Sequence, residues 1–209
     1  ALIQVEDDGQ NSIVIHGGTN RTLAMERMEE VLEACRPGDV LLLQNEINLT
    51  GGLITVGHRA GLLTVLNPAP MTGDVADWPL NHLDYLVLNE HEAAALAGVE
   101  GADAVLEALS ERFPSIGIVL TLGCEGAVSC KDGVTVRASS VEVKAVDTTA
   151  AGDTFIGFWL AGITEGMADA DALTLGCRAA ALSVTKAGAM DSIPTRDEVT
   201  EFCLARGLD

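Results

Sequence analysis

The chain has 209 residues, the size of one domain, with 12 basic against 31 acidic side chains and a net charge of −19. That balance excludes the basic patches that hold nucleic acid or an anionic membrane surface. Apolar residues make up 48% of the chain, which excludes global disorder, and with two Trp, one Tyr and four Phe the core has to be built from Ala, Val, Leu and Ile.

In chain order, Ala1–Val5 and Ser12–His16 around the polar turn Glu6–Asn11 predict a β-hairpin. Leu23, Met28, Val31, Leu32 and Cys35 have helical spacing, closed by Pro37-Gly38. Val40–Leu43 is a short apolar run of the kind found in parallel strands covered on both faces. A poorer helix is expected near Leu53–Arg59, then strands at Leu62–Leu66 and Tyr85–Leu88 separated by the Pro-punctuated loop Asn67-Pro68-Ala69-Pro70. Glu90–Ala97 and Ala102–Arg112 read as helices and Ile116–Thr121 as a strand. Gly126–Ser129 and Val134–Arg137 flank Lys131-Asp132-Gly133, a hairpin signal, and Val141–Val146 reads as a further strand. Helices are expected at Ala151–Gly162, Ala168–Lys186 and Arg196–Ala205. Strands alternating with helices predict a layered α/β fold with no internal linker.

No apolar run approaches the ~18–20 residues of a membrane span, and the N-terminus lacks a signal-like apolar stretch. The five cysteines, Cys35, Cys124, Cys130, Cys177 and Cys203, form no CxxC pair and read as reduced thiols of a cytoplasmic protein. Without a secretory signal, the sequons at Asn20 and Asn48 carry little weight. There is no Gly-Lys pair and no G-x-G, hence neither a Walker loop nor a dinucleotide fingerprint. His16, His58, His82 and His91 are too scattered for a metal cluster, and His91-Glu92 lacks the second histidine of a zincin motif.

The informative segment is Asp147-Thr148-Thr149-Ala150-Ala151-Gly152-Asp153-Thr154, set between a predicted strand and an apolar helix. A helix start with small residues offers free backbone N–H groups and a positive dipole end to an anion. Asp153, in the first turn, could accept a proton from an alcohol that attacks phosphorus. The same residues also suit an ordinary Asp/Thr helix cap, and spacing alone leaves both readings open.

Asp147–Asp153 resembles the signature of the ribokinase-like (PfkB) carbohydrate kinases. Four further motifs fall in that family's order, each after a predicted strand: Gln44-Asn45-Glu46, Asn67-Pro68-Ala69-Pro70, Asn89-Glu90-His91-Glu92 and Thr121-Leu122-Gly123-Cys124-Glu125-Gly126. The resemblance covers essentially the whole chain. It implies a three-layer α/β/α fold with a mostly parallel central sheet.

It also implies ATP-dependent phosphorylation of a sugar hydroxyl, with D-ribose favoured by the Ala-Ala-Gly-Asp form. The alternatives are another sugar or nucleoside of the family, or a nucleotide-binding fragment that is inactive alone. By the resemblance Asp153 is the catalytic base and a sugar contact, Ala150, Ala151 and Gly152 form an anion hole, and Glu46 contacts the sugar. Thr121, Gly123, Gly126, Gly152 and Cys177 line the nucleotide, Cys177 standing where such enzymes often carry His against adenine. Asn89 and Glu92 act near the phosphates and Mg²⁺, Glu92 through metal-bound water. By the same resemblance, Asp147, Thr149, Ser183, Lys186, Gly188 and Ser192 stand where the family holds a monovalent cation, normally K⁺. The implied partners are ATP and a small sugar, with a homo-oligomer compatible. The family runs to about half again this length, so residues 1–209 are expected to be the C-terminal two-thirds of one kinase domain, without lid and most sugar contacts, and with open sheet edges.

Overall fold

The computed structural model describes residues 2–5 and 11–208. Strands β1 (Leu2–Val5) and β2 (Asn11–Val14) pair antiparallel, with Leu2 opposite Val14. The expected hairpin is present, although most of its turn lies outside the described residues. After α1 (Met25–Leu32) the chain enters a six-stranded sheet whose strands lie in sequence order. These are β3 (Val40–Gln44), β4 (Leu63–Asn67), β5 (Tyr85–Asn89), β6 (Gly117–Thr121), β7 (Ala127–Lys131) and β8 (Val134–Ala138). β3 to β6 are parallel, joined by α2 (Thr50–Arg59), a 3-10-rich segment, and the pair α3 (Glu90–Ala97) and α4 (Ala102–Arg112). The C-terminal part holds α5 (Ala151–Thr164), α6 (Asp169–Ser183) and α7 (Arg196–Leu204). A mixed, mostly parallel sheet flanked by helices is the α/β arrangement expected from the alternation of elements. Among the described residues no helix is long and apolar enough to cross a membrane.

The chain divides into two compact units. The first comprises the described residues of 1–16, 122–128 and 136–209; the second comprises 17–121 and 129–135. In the second unit Val65, Leu66, Leu86, Val87, Leu88, Ile118, Val119 and Leu120 are each at most 1% exposed, the unbroken burial characteristic of parallel strands. Each such side chain contributes roughly 1.5–3 kcal/mol on burial. Ile54 of α2, Ala93 of α3 and Leu109 of α4 complete this core. β3 ends the sheet, with Val40 and Leu42 exposed.

In the first unit α5 packs on α6, and small residues set their approach. A Cβ added at Gly176 would stand 2.8 Å from a Phe155 ring carbon and 3.0 Å from the Phe155 carbonyl oxygen. Trp159 and Leu173 are buried in the same layer. The hairpin turn between β7 and β8 is Asp132-Gly133, with φ of 51° and 76°, the two positive values a tight type I′ turn requires.

Val141–Val146 is not a strand, contrary to its alternation of apolar residues. The sheet ends at β8. Val141 and Val143 are instead half-buried against Ala181, Val199 and Phe202, so their alternation reflects packing on α6 and α7 without a ladder. The N–H groups of Val146 and Asp147 both bond the Val184 carbonyl at the end of α6.

Candidate active site

In the second unit the motifs fall at the carboxyl ends of the parallel strands, where open α/β sheets place ligands. Gln44, Asn67, Asn89 and Thr121 are the last residues of β3, β4, β5 and β6. Gln44 lies in register with Asn67, and Asn89 with Thr121. The Gln44 amide donates to Asn67 Oδ1 at 3.1 Å, and Asn67 Nδ2 donates to the Val87 carbonyl at 3.0 Å. Asn45 Nδ2 donates to the Pro70 carbonyl and to Thr72 Oγ1, both at 2.7 Å, which ties the Asn67–Pro70 loop to the end of β3. Glu46 is half-buried in the turn that follows β3.

Asn89 and Glu92 form the capping box that starts α3: Glu92 N–H donates to Asn89 Oδ1 at 2.9 Å and Asn89 N–H to Glu92 Oε2 at 3.0 Å. Glu92 is only 8% exposed, and this burial raises its pKa above the usual glutamate value, opposed by the bonds from Asn89 and a contact with Asn67. A buried carboxylate with that tendency gains from a nearby cation. Thr121 Oγ1 donates to the Leu88 carbonyl at 3.4 Å.

In the first unit, Gly123–Glu125 form a 3-10 turn closed by a bond from Leu122 N–H to the Gly126 carbonyl at 2.8 Å. Gly126 has φ of 108°, and a Cβ there would sit 2.1 Å from the Ala138 carbonyl oxygen, so only glycine fits. Gly123, Cys124 and Glu125 are exposed. Cys177 is buried on α6 with its thiol donating to the Ala138 carbonyl at 3.9 Å. Burial pushes its pKa up to about 11.

The segment before α5 contains a conformational outlier. Ala150, at the N-cap, has φ 61° and ψ 11°, the left-handed region that costs an L-residue roughly 1–2 kcal/mol. Ala151, Gly152 and Asp153 make the first turn, in which Ala151 N–H bonds the Thr148 carbonyl at 3.2 Å and Thr154 N–H bonds the Ala150 carbonyl at 2.9 Å. Gly152 is exposed with nothing within 4 Å of a Cβ placed there, so the approach to these amides is open. Asp153 is exposed and lines a cavity of about 350 Å³ with Thr154, Gly157, Phe158, Ile193 and Arg196. Thr154 is 2% exposed and its hydroxyl finds no hydrogen-bond partner among the described residues. Sequence reasoning passed over Thr154. Its place immediately after Asp153 was the available signal.

Asp147 joins two segments distant in sequence. Its Oδ1 accepts from Thr149 N–H and its Oδ2 from Gly188 N–H, both at 2.9 Å. The Thr149 hydroxyl, then the Gly188 and Thr149 amides, hold its carboxyl below the usual aspartate value. Asp147, Ser183 and Ser192 are all buried, Ser183 Oγ donating to the Ala180 carbonyl and Ser192 Oγ to the Ala189 carbonyl. Lys186 N–H bonds the Ser183 carbonyl at 3.1 Å. Residues 147–149 and 183–188 thus lie side by side and offer hard oxygen donors, the ligand type that suits a K⁺-like cation better than a transition metal. Among the described residues no group of three or more His, Cys, Asp or Glu forms a metal cluster.

Each unit thus has a feature that suits phosphoryl transfer: in the first an open helix start beside a carboxylate, in the second motifs at the carboxyl ends of parallel strands. The sequence profile of the pfkB family carbohydrate kinases matches residues 1–196. The chain belongs to that family of ATP-dependent carbohydrate kinases. Ribokinase from Haemophilus influenzae is 38% identical over 209 residues, covering 97% of this chain and 68% of the relative. The crystal structure of Thermotoga maritima ribokinase matches with a TM-score of 0.83 at 35% identity, over 97% of this chain and 68% of that one. Arabidopsis thaliana ribokinase complexed with ribose and ATP matches with a TM-score of 0.78 at 26% identity, over 96% and 67%. The chain spans about two-thirds of the length of each.

Proposed function

We propose that this chain carries the nucleotide-binding and catalytic part of a cytoplasmic kinase that transfers the γ-phosphoryl group of ATP to a hydroxyl of D-ribose, giving ADP and ribose 5-phosphate. The observation that carries the reading is the start of α5, where the left-handed Ala150 leads into a first turn of small residues and Gly152 leaves open space where a side chain would stand. The substrate follows from the ribokinase relatives and from the Arabidopsis complex with ribose and ATP.

Asp153 accepts the proton of the attacking hydroxyl as its oxygen bonds to the γ-phosphorus and the bond to the β-phosphate oxygen breaks. The amides of Ala150, Ala151 and Gly152, at the positive end of the α5 dipole, bind the equatorial oxygens of the transferring group, Ala151 N–H exchanging its bond to the Thr148 carbonyl for the phosphate. Small side chains at 150–152 keep the approach clear. Thr121, Gly123, Gly126 and Cys177 line the nucleotide, the buried thiol offering packing surface to the base in place of an ionised contact, and Glu46 holds the sugar. Asn89 and Glu92 serve the polyphosphate end, where the buried Glu92 fits Mg²⁺ held through water. When bound, Mg²⁺ supplies charge neutralisation of the phosphates. Asp147, Ser192 and the carbonyls of Thr149, Ser183, Lys186 and Gly188 fit a monovalent cation, which would add positive charge beside the loop leading into α5.

The test is ADP release by the chain with Mg·ATP and K⁺ across D-ribose, D-fructose and adenosine. Turnover with D-ribose above the others supports the reading. Preference for fructose or adenosine reassigns the substrate, and nucleotide binding without turnover on any of them overturns the catalytic assignment for this chain.

A further inference from the structure

The loop from Val184 to Ser192 carries two of the four carbonyls assigned above to the monovalent cation, those of Lys186 and Gly188, yet Ala187 to Asp191 are exposed and Gly188 takes φ of 96°. Such a segment needs fixing from outside itself if its carbonyls are to hold one arrangement. Gly188 N–H to Asp147 is one anchor. A second is an ion pair: Lys186 Nζ lies 3.0 Å from Glu198 Oε1 on α7.

Glu198 is unusually well held for a half-exposed carboxylate. Its Oε2 accepts from Thr195 N–H at 2.6 Å and from Thr195 Oγ1 at 3.0 Å, as the N3 residue of the α7 capping box. The Thr195 amide, then Lys186 and the Thr195 hydroxyl, hold its carboxyl down to about 2. The first residue of α7 is in turn fixed, since Arg196 pairs with Glu165 at the end of α5. Lys186 therefore reaches a carboxylate that is already oriented, on a helix start that is already anchored. This differs from the usual surface pair, where both partners must be ordered together and the net gain is small.

We infer that the Lys186–Glu198 pair tethers the 184–192 loop to α7 and thereby sets the affinity of the chain for its monovalent cation, with both side chains acting as positioning residues. The inference rests on the cation reading of Asp147 and its neighbours. Lys186 has a divided role: its carbonyl serves the ion, while its ammonium is drawn away to α7.

Thermal unfolding of the chain, followed against KCl with tetramethylammonium chloride holding ionic strength constant, tests the tether without relying on turnover. In the native chain Tm rises with K⁺ and saturates. Lys186→Met, which leaves the α7 cap intact, and Glu198→Gln, which can still complete the capping box, each raise the K⁺ concentration at half-saturation by about two- to fivefold. The double variant shifts no further than either single one, and Lys186→Arg restores the native value. Half-saturation unchanged in both single variants, with the K⁺-dependent rise retained, overturns the tether and leaves the cation site standing. Shifts that simply add in the double variant overturn the pair as a unit. No K⁺-dependent rise in the native chain overturns the cation reading and the tether together.

Discussion

Glu92 carries two demands on one side chain. As a helix cap it accepts Asn89 N–H, and as the residue assigned to metal-bound water it needs a negative charge that burial disfavours. Its folded pKa lies above the ordinary value near 4.5, so the folded chain binds the proton more tightly than the unfolded one. That stabilisation is fully present below the unfolded value and is lost as pH rises through the folded one. Glu92→Gln, which caps without ionising, should raise Tm relative to the native chain, with a larger gap at about pH 7.5 than at about pH 5, while weakening Mg·ATP binding. A gap independent of pH would contradict the assignment of the cost to burial of charge. Asn89, Glu92 and Asp147 were legible in the sequence because each belongs to a short contiguous motif. The left-handed Ala150 was not, since nothing in an alanine announces φ of 61°. The Thr154 hydroxyl, without a partner among the described residues, and the reach of Lys186 from its loop to Glu198 were equally hidden, because both depend on packing between segments separated in sequence.

Strands β3 to β6 were found within about one residue of their ends, because a strand covered on both faces reads as an unbroken apolar run. Val141–Val146 misled for the complementary reason: alternation records which side chains are buried and says nothing of ladder bonds. Gly152 on α5 and Gly176 on α6 separate function from packing. Gly152 has open space where a side chain would project, so Gly152→Val should leave Tm within a few degrees of native while lowering nucleotide affinity and turnover about tenfold or more, because the branched side chain crowds the amides of the first turn. Gly176 faces the Phe155 ring and carbonyl, so Gly176→Val should destabilise by about 1–3 kcal/mol through overpacking, seen as a lower denaturant midpoint. Equal losses of stability in the two variants would contradict the picture of an open anion site at the start of α5.

At the scale of the whole molecule, the charge of −19 means that a polyphosphate gains nothing from the overall field and has to be held by local donors. The family assignment, the mostly parallel sheet and the order of the five motifs could all be read from residues 1–209 before any coordinates. The choice of sugar could not, since Glu46 is the one residue besides Asp153 that the family resemblance assigns to the sugar. The share of each relative covered, about two-thirds, makes turnover by this chain the quantity that matters most. The decisive measurement compares native and Asp153→Asn chains for ribose-dependent ADP release and for nucleotide affinity under identical Mg²⁺ and K⁺. Removal of the base should lower turnover by about 10²–10⁴-fold and leave the nucleotide Kd within about threefold, because Asn preserves shape and removes only the proton acceptor. Ribose-dependent turnover that survives in Asp153→Asn would contradict the account.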